Sequence, residues 1–138
     1  MKLTLFWLLV LLPKLASSAC FDHAALRYGM DSALLKAIAQ VESGGNPRAV
    51  GKNADGSEDL GLMQINSLWL PKLAKYGIAR QDLFDPCTNV QVGAWVLSQK
   101  IHRYGKTWRA VGAYNAGAER KREVYVRRVM RAYGYKQG

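Results

Sequence analysis

The chain has 138 residues, with 20 Lys and Arg against 10 Asp and Glu for a formal net charge of +10. That length holds one domain and excludes a multidomain enzyme. With 49% apolar and 10% aromatic residues the chain is too rich for disorder, 13 Gly and 4 Pro exclude a collagenous or low-complexity chain, and neither common Gly-rich phosphate-loop spacing occurs.

Residues 1–19, MKLTLFWLLVLLPKLASSA, read as a signal peptide for export. Lys2 supplies the positive start and Leu3 to Leu12 the apolar run. Pro13 and Lys14 break the run, and Ser17-Ser18-Ala19 offers the small residues of a cleavage site. The run is shorter than the roughly 20 residues needed to cross a bilayer. Cleavage after Ala19 removes Lys2 and Lys14, leaving residues 20–138 with a net charge of +8 and a periplasmic destination. The alternatives are an uncleaved anchor and a lipoprotein cut at Cys20. In an oxidising compartment the two cysteines, Cys20 and Cys87, suggest a disulfide closing a loop of about 68 residues, worth ~4 kcal/mol in the chain-entropy model. Two buried thiols are the alternative. His23 and His102 lie in no zinc-binding spacing, so no metal or cofactor is expected.

Residues 22–28 predict a short helix stopped by Gly29. A stronger helix follows, capped by Asp31 or Ser32, with Leu34, Leu35, Ile38, Ala39 and Val41 at helical spacing and Gly44-Gly45 and Pro47 as its end. The polar stretch 46–60 reads as a loop or small β-hairpin turning at Asp55-Gly56, and 61–66 as an apolar turn. Ser67 is placed as the cap of a helix to Tyr76. Asp85-Pro86 opens a central helix whose stripe is Cys87, Val90, Ala94, Leu97, Ile101 and Tyr104, closed by Gly105. Thr107 caps Trp108 to Tyr114. The last helix spans about 118–133, with Val126, Val129, Met130 and Tyr133 inward. The expected architecture is one compact, mainly α domain with a small hairpin region.

Glu42 stands three, four and seven residues after Ala39, Ile38 and Leu35, so it shares the inward stripe of the second helix. Burial and the helix C-terminus both disfavour its anion, which leaves a carboxylic acid protonated near neutral pH, as a general acid must be. A surface Glu at a fraying helix end is the alternative. Gly61-Leu62-Met63-Gln64 offers an apolar surface with an amide, and Tyr114-Asn115 a phenol with a second amide. Such groups suit sugar rings, and Asp55, Glu58 and Asp59 are available as a second carboxylate.

Three segments in register, Glu42-Ser43-Gly44, Gly61-Leu62-Met63-Gln64 and Ala113-Tyr114-Asn115-Ala116-Gly117, resemble the three signatures of the soluble lytic transglycosylase family. The flanking runs 34–41 and 46–50 match as well, so the resemblance covers about residues 20–135. Size, signal and cysteine pair resemble the specialised members that accompany type III secretion, type IV secretion, conjugation and pilus systems of Gram-negative bacteria. The resemblance implies a lysozyme-like (α+β) fold and cleavage of the β-1,4 bond between N-acetylmuramic acid and N-acetylglucosamine in peptidoglycan, leaving a 1,6-anhydro end. Glu42 falls on the family's catalytic acid/base. By the same carry-over, Ser43 orients Glu42 or substrate, Met63 shapes the cleft floor, and Gln64 binds sugar substituents. Tyr114 lies near the reacting centre and Asn115 supports the cleft. Asp59-Leu60 and Ile65-Asn66 depart from the common flanks of the second signature, which leaves subsite contacts open.

The basic run Arg120-Lys121-Arg122, with Arg127, Arg128 and Arg131, reads either as a solvated helix face or as attraction for an anionic wall polymer. The aromatics do not interleave with these charges as single-strand nucleic-acid binding needs. The expected partners are peptidoglycan strands and proteins of a secretion or conjugation apparatus, with the enzyme a monomer. Two other functions remain: a lysozyme-type hydrolase using Asp55 or Asp59, and a non-catalytic binding module.

Overall fold

The computed structural model describes residues 18–115 and 119–135. Most of residues 1–19, the expected signal peptide, and the end of the third signature, Ala116-Gly117, lie outside them. Helix α1 covers 18–28 and so begins earlier than expected, ending where Gly29 takes a left-handed φ of 65°. Helix α2, Ser32–Ser43, starts at Asp31, whose carboxylate accepts from the Ala33 N–H at 2.8 Å. It ends at Gly44, whose φ of 63° lets its N–H reach the Gln40 carbonyl.

The polar stretch is more ordered than a loop. Strands β1 (Val50–Lys52), β2 (Glu58–Leu60) and β3 (Ile65–Asn66) form an antiparallel sheet in that order. Gly51 and Asn66 flank Asp59 on either side. Leu60 and Ile65 face the core, so by strand alternation Asp59 and Asn66 share the opposite face. The turn at Asp55-Gly56 is present, closed by Gly56 N–H to the Asn53 carbonyl at 3.0 Å.

After the sheet, Asn66 rather than Ser67 is the cap: its side chain accepts from the Leu68 N–H. The turn it starts, Ser67–Trp69, is 3₁₀, and helix α3 is only Leu70–Ala74. A second 3₁₀ turn, Arg80–Phe84, leads to α4, Pro86–Tyr104, capped by Asp85 as expected. Helices α5, Trp108–Tyr114, and α6, Glu119–Tyr133, complete the chain. On α6 the residues turned fully inward are Tyr125 and Val129; Val126, Met130 and Tyr133 are only half-buried.

The core joins Leu35 and Ile38 of α2, Leu60, Met63 and Ile65 of the sheet region, Leu83, and Val90 and Leu97 of α4. Each contributes ~2 kcal/mol by burial. Cys20 and Cys87 are disulfide-bonded with Cα atoms 5.0 Å apart, joining α1 to the first turn of α4. No described helix is long and apolar enough to cross a membrane. The observed architecture is the mainly helical, lysozyme-like one that the resemblance implied.

Candidate active site

Glu42 occupies the last turn of α2, where no basic residue offsets it. Burial is the main cause that lifts its carboxyl from the ordinary 4.5 to about 7. The neighbouring Tyr125 hydroxyl opposes the rise, and the charge of Asp59 adds to it. The Tyr125 hydroxyl is buried and makes no hydrogen bond of regular geometry, so its hold on the carboxylate is loose. A carboxyl lifted this far exchanges its proton near neutral pH, so the same group can give and take one.

Asp59 faces this acid from the sheet. Its two carboxylate oxygens accept from different amides, Asn53 Nδ2 at 3.0 Å and Asn66 Nδ2 at 2.9 Å. Asp55 is spent elsewhere: it accepts from the Ser57 hydroxyl at 2.6 Å and from its backbone N–H at 2.9 Å, fully exposed in the turn, and these bonds lower its pKa. Glu58 is paired with Arg80 at 2.9 Å. Of the three loop carboxylates, Asp59 is therefore the one turned to Glu42.

The segment between these groups is held by the helices behind it. Asn89 of α4, fully buried, accepts from the Met63 N–H and donates to the carbonyls of Leu60 and Leu83, each at 2.8 Å. A Cβ on Gly61 would collide with this amide, and one on Gly93 with the Met63 side chain. Tyr114 closes the other side: its hydroxyl donates to the Met63 carbonyl at 2.7 Å. Burial first, then the charges of Glu42 and Asp59, keep that phenol well above its usual pKa, so it stays a donor.

Several expected roles shift in detail. The Ser43 hydroxyl donates to the Leu62 carbonyl at 2.7 Å, so it pins the end of α2 to the Leu62-Met63 turn rather than pointing at Glu42. The Met63 side chain is wholly buried and backs the floor from beneath instead of meeting a ligand. Gln64 adopts a left-handed φ of 53°, and its amide nitrogen donates to Gly61 and Ala49 carbonyls at 3.1 and 3.3 Å. A non-glycine residue held there is strained, and the two bonds help hold it. Asn115 ends α5 beside Tyr114, half-buried.

Asn89 and Tyr125 were missed as site residues. Asn89 had a signal, a polar residue directly before Val90 on the inward stripe in the first turn of α4. Tyr125 had a weaker one, since its hydroxyl only gains meaning from α6 lying on α2.

The family model described as transglycosylase SLT domain matches residues 19–133. The chain is 50% identical over 117 residues to invasion protein IagB of Salmonella typhimurium, covering 84% of this chain and 72% of that protein. It is 44% identical over 119 residues to protein IpgF of Shigella flexneri, covering 86% and 78%. Among solved structures it superposes on the lytic transglycosylase Slt of Pseudomonas aeruginosa, determined as an inactive mutant, with a TM-score of 0.68 and 26% identity, covering 83% of this chain and 22% of that one. The buried helix-end acid, the floor that Asn89 holds and the extent of these matches converge: the chain belongs to the SLT transglycosylase family and is a peptidoglycan lytic transglycosylase.

Proposed function

We propose that the chain cuts the β-1,4 bond between N-acetylmuramic acid and N-acetylglucosamine with Glu42 as the only proton-transfer group. The observation that carries this reading is the buried Glu42 carboxyl with its pKa raised to about 7. Protonated Glu42 gives its proton to the glycosidic oxygen as the C1–O bond breaks. The C6 hydroxyl of the same muramic acid attacks C1, and its proton returns to the Glu42 carboxylate. A 1,6-anhydro end forms, the acid is regenerated and no water is used. Asp59, held by two amides, stabilises the positive charge that develops on the sugar ring without touching a proton. Tyr114 and Ser43 hold the floor to the helices, Gln64 and Asn115 line the cleft, and Met63 fills beneath it.

The same Asp59 geometry favours a second reading, a hydrolase in which Asp59 acts as nucleophile or base. Mass spectrometry of muropeptides from digested sacculi separates the two. Products one water lighter than hydrolytic fragments are expected; reducing ends would overturn the intramolecular step. Glu42→Gln should abolish both kinds of product.

The apolar start at residues 3–12, with small residues at 17–19, supports export to the periplasm and cleavage after Ala19, leaving residues 20–138 as the enzyme domain. Similarity to a protein named for invasion supports local wall opening for a secretion, conjugation or pilus apparatus.

A further inference from the structure

The catalytic reading uses the sheet wall of the cleft and leaves the α6 wall without a role. Helix α6 runs antiparallel to α2. Near its end the Tyr133 hydroxyl donates to Asp31, just before α2, at 2.6 Å. Tyr125, two turns earlier, sits against Glu42 in the last turn of α2. The residues from Glu119 to Val124 therefore run past the end of α2, roughly 9 Å of helix at 1.5 Å per residue. Arg120 and Lys121 stand exposed in this overhang, with Glu119 and Glu123 exposed beside them. Lys121 precedes Tyr125 by four residues, so it lies on the face turned to the acid. The sheet across the cleft presents Asp59, while its Glu58 is paired with Arg80. Over its length α6 carries six basic residues against Glu119 and Glu123, with Arg127, Arg128 and Arg131 exposed, whereas the strands carry Lys52 against Glu58 and Asp59, so the two walls differ in sign.

We propose that this overhang is a specificity element: Arg120 and Lys121 take carboxylates of the peptide stems that hang from the glycan, and set which side of the cleft the stems occupy. The inference rests on the peptidoglycan reading of the cleft. Acetylated sugar rings are uncharged and gain little from a cationic rim. Stem carboxylates are anionic and flexible and begin at the second stem residue, roughly 7 Å or more of extended chain from the ring, so charge-assisted hydrogen bonds to Arg and Lys favour stem-bearing strands while Asp59 disfavours stems on the sheet side.

The test is binding of the Glu42→Gln protein, which holds substrate without turning it over, to solubilised strands in two forms. One keeps its stem carboxylates; the other has them converted to amides. We expect affinity for the carboxylate form to be about tenfold higher, to fall as salt rises, and to drop to the amide-form level on adding Arg120→Gln and Lys121→Gln. Both side chains are exposed, so thermal melting should be unchanged. Equal affinity for the two forms overturns the proposal, as does an equal loss on both forms in the triple variant, which would assign the rim to the sugars. Binding to phosphatidylglycerol vesicles is measured alongside, and a loss in the triple variant confined to the vesicles also overturns the proposal, assigning the rim to a lipid surface. Failure to bind either form would remove the proposal together with the cleft reading, and only that failure should coincide with absent muropeptide products from the wild-type chain.

Discussion

Replacing Glu42 by Gln should make the protein more stable while silencing it, and the gain should depend on pH. The folded carboxyl titrates at about 7 against an ordinary 4.5, chiefly because it is buried. Below pH 4.5 the group is protonated in both the folded and the unfolded chain, and folding is indifferent to it. Between 4.5 and 7 the unfolded chain releases the proton and the folded chain keeps it, so stability falls as pH rises. Above 7 the full cost of burying the anion is present, about 3 kcal/mol at ~1.4 kcal/mol per pKa unit. Gln has nearly the same shape and never ionises. Urea unfolding of both proteins at pH 4 and pH 8 should therefore show a stability difference that grows by about 3 kcal/mol in favour of Glu42→Gln. A difference that stays flat across that range would mean the acid is not desolvated in the folded chain. The assignment of Glu42 as a proton donor near neutrality would fall with it.

The remaining expectations concern its neighbours. Asp59→Asn removes a charge that raises the Glu42 pKa, so the alkaline limb of the pH–rate profile should move to lower pH and kcat should fall by about tenfold or more; an unmoved limb would separate Asp59 from the acid. Asn89→Ala leaves the Met63 N–H and two carbonyls unpaired inside the core, which should cost about 3 kcal/mol in urea unfolding. Replacing Cys20 and Cys87 with Ser opens a closure spanning 67 positions, and about 4 kcal/mol should be lost, visible as a lower denaturation midpoint with a steeper slope from the more expanded unfolded chain.

Much of this arrangement is legible in the sequence because local rules and tertiary packing agree. The apolar stripe that carries Glu42 inward is the same stripe that makes α2 a helix, so helix periodicity alone exposes the misplaced acid. Asp85-Pro86 and Thr107 announce α4 and α5 through capping chemistry that needs no partner. What stayed hidden depends on pairs distant in sequence. Asp59 is one of three similar carboxylates until the sheet register sets it between Gly51 and Asn66. Ser43 suggests a group beside the acid, yet its hydroxyl reaches a carbonyl 19 positions away. Met63 has the surface chemistry of a sugar-binding residue and is instead covered by Gly93. Tyr125 falls just outside the positions chosen as inward on α6, because a basic helix has too few apolar residues to fix its own rotation; the contact with α2 decides it.

The meeting of Gly93 with Met63 has a consequence for how this sequence can drift. A helix glycine ordinarily invites replacement by alanine, which helix propensity rewards. Here that exchange is closed while a long side chain occupies position 63, and a shorter one at 63 would leave a void beneath the cleft while 93 stays glycine. Each position holds the other in place, so single steps away from the pair are uphill although joint steps need not be. A helix remote from the chemistry in sequence thereby restrains which floors the cleft can acquire, and new substrate preferences are easier to reach through the exposed α6 wall than through the floor.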